Sequence, residues 1–83
     1  MNYKKIYVDV ILKNDIDGNL IPLKIIWEDG EVYLIDRLLA VCKASSLKVG
    51  GCGTRYSVRI YGKEKYLFHE EDKWFMEIKE NFN

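Results

Sequence analysis

Residues 20–37 read LIPLKIIWEDGEVYLIDR, and this stretch decides the fold. Two runs rich in β-branched and aromatic residues flank the pair Asp29-Gly30. Asp-Gly between such runs is typical of a two-residue type I′ hairpin turn. The stretch therefore predicts two antiparallel strands, the first ending at Trp27 and the second beginning at Glu31. In the register of that turn, Trp27 faces Val32.

The same strand pattern continues on both sides of this hairpin. Apolar and polar residues alternate with the period of a half-buried strand, or form short β-rich runs, over 5–12, 54–61, 64–69 and 74–78. A bent strand is favoured from residue 37 onward, and the alternative is one short helical turn near 38–47. The sequence predicts an all-β fold, namely a small antiparallel SH3-like barrel of five to seven strands.

The chain has the length of one domain, since 83 residues contain no linker, internal repeat or low-complexity segment. We expect a single β-barrel domain over residues 1–83, with a frayed tail at 79–83. No apolar run approaches the roughly 20 residues of a membrane span, and the N-terminus lacks the apolar core of a signal peptide. A cytoplasmic location with reduced cysteines and no membrane association follows as an expectation.

Charge is segregated along the chain although the total is zero. Residues 37–65 hold seven basic side chains against one acid, a net of +6, whereas 1–36 and 66–83 each sum to −3. A domain with one basic face attracts phosphate backbones or acidic surfaces even when its overall charge is neutral. The basic central segment therefore points to DNA, RNA or an acidic protein as partner.

One face of the strand 54–61 is the first candidate site, because Arg55, Arg59 and Tyr61 share it. An odd-sum hairpin register would add Tyr66 and Phe68, giving arginines between aromatic rings, as in small barrels that hold single strands. In the alternative, both rings point inward and Arg59 pairs with Glu64. The predicted phosphate and base contacts are Lys48, Arg55, Arg59, Tyr61, Lys63 and Lys65.

A glycine-rich loop is the second candidate site. Successive backbone N–H groups of Gly50, Gly51 and Gly53 would form an anion nest, with Lys48 and Arg55 adding positive charge. No Gly-Lys-Ser/Thr follows, so the loop is not a Walker motif. The alternative is a hairpin connection that uses glycine for its backbone freedom.

Aromatic residues indicate a third possibility, a groove near Trp27, Tyr33 and Trp74 that receives a partner peptide. Both tryptophans are expected to pack in the core or at its edge. Two functions therefore stay open, a nucleic-acid-binding module and a protein-interaction module.

Enzymatic chemistry is not indicated. The single histidine, His69, has no serine or cysteine in a recognisable catalytic arrangement, so we assign no catalytic residue and no cofactor. Cys42 and Cys52 complete no zinc-binding spacing with it, and no metal site is expected.

Several segments also resemble a family of small uncharacterised bacterial proteins. The shared features are the aliphatic-x-Trp hairpin of 22–39, the Tyr-x-Val strand of 55–60, and the closing Trp74-Phe75-Met76-Glu77. Some members are encoded near Y-family DNA polymerases or in mobile elements of Gram-positive bacteria. The resemblance implies a small β-barrel and a DNA-maintenance or mobile-element context, and it carries over no site residues.

Overall fold

A computed structural model of the chain describes residues 3–44 and 53–79. Within this part the elements are β1 (Tyr3–Asn14), β2 (Leu20–Ile26), β3 (Val32–Leu34), β4 (Arg37–Ala44), β5 (Gly53–Ile60), β6 (Lys63–Glu70) and β7 (Lys73–Lys79). The all-β prediction is confirmed, and the alternative of a helical turn is excluded for residues 38–44. Residues 45–47, the rest of that predicted segment, lie outside the described part. Among the described residues, no helix is long and apolar enough to cross a membrane.

The seven strands form one antiparallel sheet in the order β3-β2-β1-β7-β6-β5-β4. The first half of β1 pairs with β7 and its second half pairs with β2. Two residues connect opposite edges of the sheet. Ile35 N donates to Leu23 O at 3.0 Å, and Asp36 N donates to Arg59 O at 2.8 Å. The sheet therefore curls into a half-barrel that is consistent with a small SH3-like barrel.

The core lies on the concave face of the curled sheet. Its buried members are Ile6, Val8, Ile25, Tyr56, Val58, Ile60, Leu67 and Trp74. Val58 and Leu67 have no exposed surface, and burying an aliphatic side chain of this size contributes about 1.5–3 kcal/mol. The alternation predicted for β1 and β5 is confirmed, because their apolar residues enter this core.

A second, smaller cluster covers part of the outer face. Phe68 and Phe75 stack there with ring centroids 5.4 Å apart, and Phe75 is fully buried. Lys5 Nζ lies 4.6 Å above the Phe75 ring and bonds Glu70 Oε1 at 3.2 Å. Tyr7 packs on Phe75 from another side, at 5.7 Å. The outer face is thus partly apolar beneath its charged residues.

The first hairpin differs from the predicted turn. Trp27 N donates to Glu31 O at 2.8 Å, and Ile26 pairs with Val32. The connection therefore has three residues, and the predicted pairing of Trp27 with Val32 is wrong. Gly30 takes the positive φ of 89° that closes a three-residue loop. Asp-Gly satisfies both kinds of turn, so the pair alone does not determine the loop length.

The turn between β5 and β6 lies one residue earlier than the predicted strand spans, 54–61 and 64–69, indicate. Ile60 pairs with Lys63, and the turn residues Tyr61 and Gly62 have φ angles of 51° and 75°. Two positive φ angles are the mark of a type I′ turn. Tyr61 is therefore a turn residue and not a member of the outer face of β5. Lys79, expected in a frayed tail, pairs with Tyr3, and 80–83 lie outside the described residues.

Candidate nucleic-acid interface

The β5–β6 register brings arginine and aromatic side chains onto one face. Arg55 pairs with Phe68 and Ser57 pairs with Tyr66, which is the odd-sum register. These residues lie on the outer face, since the intervening positions of β5 enter the core. Tyr66 is 45% exposed, whereas Phe68 is buried in the outer cluster. The alternative in which both rings point into the core is therefore wrong.

A third arginine joins this face from β4. Arg37 is the direct cross-strand partner of Arg59, and both side chains are exposed. Glu64 is the partner of Arg59 on the other side, yet neither arginine forms an ion pair with any described residue. We call Arg37, Arg55, Arg59 and Tyr66 the arginine face. Arg37 belongs to the basic central segment, but its position opposite Arg59 depends on a β4–β5 register that the sequence does not indicate.

Arg55 is held against Tyr66. Its guanidinium carbon lies 4.6 Å from the centroid of that ring, a cation–π contact worth about 0.5–1 kcal/mol at an exposed site. The Nε atom of Arg55 is buried and has no hydrogen-bond partner among the described residues. The contact therefore fixes the guanidinium group beside an exposed ring surface.

A cleft opens between β6 and β7 next to this face. The two strands pair only from Phe68–Phe75 to Glu70–Lys73, and beyond that point β6 follows β5 while β7 follows β1. The resulting β6–β7 cleft has a volume of about 790 Å³. Its outer wall includes Arg55, Tyr66 and Phe68, and its inner wall includes Ile25, Trp27, Tyr33 and Ile60.

No protein-family model, curated protein or solved structure matches this chain. The interpretation of the arginine face and the cleft accordingly depends on the positions of their own side chains.

Three of the predicted contact residues lie at the mouth of the cleft, not on the arginine face. Tyr61 is 77% exposed and meets Tyr33 edge-on with centroids 6.2 Å apart. Lys63 and Lys65 pair with the core residues Ile60 and Val58 of β5, yet both lysines are exposed. The predicted set is thus divided between two adjoining surfaces, and Arg55 belongs to both.

The predicted aromatic groove is only partly formed. Trp27 and Tyr33 line the cleft. Trp74 is buried in the core, 5.0 Å from Tyr56 and 4.3 Å from His69 between ring centroids. Grouping all three aromatics in one groove is therefore wrong, because the alternation of β7 directs Trp74 inward. The expectation that both tryptophans pack in the core or at its edge is confirmed.

The predicted anion nest lies largely outside the described residues, which exclude Lys48, Gly50 and Gly51. Gly53 is the first residue of β5 and pairs with Ala44. A Cβ atom on Gly53 would lie 2.7 Å from the main-chain oxygen of His69. Close approach of two strands therefore requires glycine at this position. No group of three or more potential metal ligands occurs in the described part of the chain.

Proposed function

We propose that this chain is a non-enzymatic accessory module that binds single-stranded nucleic acid through the arginine face. The family resemblance supports a role in DNA maintenance or mobile-element biology, and the expected compartment is the cytoplasm. The proposal requires neither a cofactor nor a metal.

The observation that carries this proposal is the opposition of Arg37 and Arg59. Like charges directly opposite each other on neighbouring strands lower the stability of the fold. The energy of a cross-strand side-chain pair is roughly 0.2–1 kcal/mol. A phosphate group between the two guanidinium groups would remove this repulsion. Arginine also presents paired N–H donors that match phosphate oxygens. An anion bound between the two side chains would therefore stabilise the face.

Single strands suit the face better than duplexes. Tyr66 exposes nearly half of its surface beside Arg55, and its ring is available for a base to stack on. Base–aromatic stacking contributes about 1–3 kcal/mol per base and tolerates any sequence. Bases in a duplex are already stacked on one another, so only an unpaired strand can use this ring.

Salt dependence gives the test. Each phosphate neutralised on a single strand contributes about −0.7 to the slope of log K against log salt, so three arginines predict a slope of about −2. Oligonucleotides of about 12 nucleotides, dT and rU, match the site sizes of small barrels. Their affinities would be measured by fluorescence anisotropy between about 50 and 200 mM salt.

The matched variants remove two charges each. Arg37→Gln/Arg59→Gln should reduce the slope to about −0.7 and weaken binding strongly. Lys13→Gln/Lys24→Gln removes two exposed charges from β1 and β2 and should leave the slope unchanged. A slope near zero in the unmodified chain, or equal losses in the two variants, would contradict the proposal.

A further inference from the structure

Main-chain groups of β6 point into the β6–β7 cleft. In a two-residue hairpin the residues that flank the turn exchange hydrogen bonds, and alternate residues along the strand then direct N–H and C=O to the opposite side. Ile60 and Lys63 flank the β5–β6 turn. Glu64 and Tyr66 consequently direct their N–H and C=O groups away from β5, toward the cleft.

These groups meet no strand on that side. Pairing between β6 and β7 ends at Phe68 with Phe75. Within residues 3–44 and 53–79, no strand pairs with Glu64 or Tyr66 on the side away from β5. An edge with two donor–acceptor pairs therefore lines a cleft whose inner wall is apolar. Unpaired main-chain groups of this kind are a template for another strand.

We propose that the β6–β7 cleft binds an extended segment of a protein partner, which adds to β6 as an antiparallel or parallel strand. The segment alternates apolar residues, whose side chains enter the cleft, with polar ones, and carries acidic residues at its ends. The cleft shares Arg55 and Tyr66 with the arginine face, but Arg37 and Arg59 do not line it. Strand addition uses main-chain groups of β6 and does not rest on nucleic-acid binding.

The geometry of the cleft selects a polypeptide. Glu64 and Tyr66 are two residues apart, so their main-chain groups repeat at about 6.6–6.8 Å, the two-residue period of an extended strand. Side chains at alternate positions of an added strand would contact Ile25, Trp27 and Ile60. The cleft volume of about 790 Å³ also lies within the range that holds ligands larger than a single side chain. Main-chain bonding with alternate pockets is how strand addition recognises peptides.

The charges at the rim favour acidic ends. Arg55, Lys63 and Lys65 line the cleft together with Glu64 and Glu77. The two lysines stand at its mouth, where the ends of a bound strand emerge. Acidic residues flanking the apolar positions would meet these three cations, which outnumber the two glutamates of the lining.

A random linear peptide library displayed on phage and selected on the full chain provides the probe. Selected peptides should alternate apolar and polar residues and carry acidic ends. A synthetic copy of a selected peptide should slow hydrogen exchange of the Glu64 and Tyr66 amides by about tenfold or more. N-methylation of the peptide amides that face β6 should weaken binding by about tenfold or more, and N-methylation of the intervening amides should not.

The two proposals fail separately. Arg37→Gln/Arg59→Gln should leave peptide affinity unchanged while it weakens oligonucleotide binding. A selection that enriches no peptide would overturn the cleft proposal, as would binders that leave both amides unprotected or show no alternate N-methylation effect. Displacement of the peptide by an oligonucleotide that protects the same amides would assign the cleft to nucleic acid and also overturn it.

Discussion

The guanidinium group of Arg55 lies over the ring of Tyr66, 4.6 Å from its centroid, across the β5–β6 strand pair. The two residues are diagonal neighbours, since Tyr66 pairs with Ser57 and Arg55 pairs with Phe68. Both residues line the β6–β7 cleft and both belong to the arginine face. One contact therefore stands at the border between the two surfaces proposed to bind partners.

Replacing Tyr66 tests whether this ring stacks on a base. Tyr66→Leu should weaken single-strand affinity by about 1–3 kcal/mol, the range measured for loss of one stacking ring. Tyr7→Leu is the control, because Tyr7 is also exposed on the outer face but lies on β1. Anisotropy titrations of both variants make the comparison. An equal loss in the two would show that Tyr66 has no special contact.

Reversing the charge of Arg37 should change the stability of the fold and the affinity for a single strand in opposite directions. Arg37→Glu places opposite charges across β4 and β5, so the free energy of unfolding should rise by about 0.2–1 kcal/mol. Affinity for a single strand should fall in the same variant, because a phosphate contact becomes repulsive. Urea unfolding followed by tryptophan fluorescence and anisotropy give the two values. A decrease in both would mean that Arg37 serves the fold and not a ligand.

Gly53 tests the close approach between β5 and β6. Gly53→Ala should destabilise the fold by about 1–3 kcal/mol, since the new Cβ atom meets the backbone oxygen of His69 at 2.7 Å. Gly30→Ala meets no atom within 4 Å, but its positive φ still imposes strain of about 1–2 kcal/mol. Urea unfolding of both variants measures the costs. Unchanged stability of Gly53→Ala would show that the strands can separate at this point without loss.

Asp15 should make the β1–β2 turn sensitive to acid. Its carboxylate accepts hydrogen bonds from the backbone N–H of Asn19 at 2.8 Å and of Asp17 at 3.0 Å. The Asn19 backbone bond is the main cause that lowers the pKa of Asp15 below its ordinary value of 3.8. A lowered folded-state pKa means that the stabilisation is present above the unfolded value and is lost as pH falls through the folded one.

Asp15→Ala should therefore destabilise the fold at neutral pH, and the difference from the unmodified chain should shrink as pH falls below 3.8 and through the lowered folded-state pKa of Asp15. Urea unfolding of both proteins across that range measures the difference. A gap that stays constant down to acid pH would show that the carboxylate charge does not contribute.

Strand alternation was the part of the fold that the sequence predicts best. β1 and β5 alternate as expected because each has one buried face, and a one-residue slip would expose that face. Turn lengths were less predictable. The Asp29-Gly30 pair fits both two- and three-residue loops, and pairing of Ile26 with Val32 selects the longer one. Tyr61 occupies a positive-φ turn position that local propensity would assign to glycine or asparagine.

The sequence predicts only those parts of the candidate site that depend on strand alternation. Arg55 and Arg59 share a face by simple alternation, so the sequence indicates them directly. Arg37 reaches that face for two reasons that the sequence does not indicate. The chain crosses from one sheet edge to the other at residues 35–36, and a bulge after Leu38 shifts the β4–β5 register so that Arg37 lies opposite Arg59. The β6–β7 cleft depends on where two strands stop pairing, which the curvature of the whole sheet determines.

The most direct test of nucleic-acid binding is an amide-shift titration of isotope-labelled protein by NMR. Single strands of DNA and RNA and a duplex would be added at about 50 and 200 mM salt. The proposal predicts shifts for single strands at Arg37, Arg55, Arg59 and Tyr66 that weaken at the higher salt, and smaller shifts for the duplex. Absence of shifts with every oligonucleotide, or salt-independent shifts confined to β1 and β2, would contradict it.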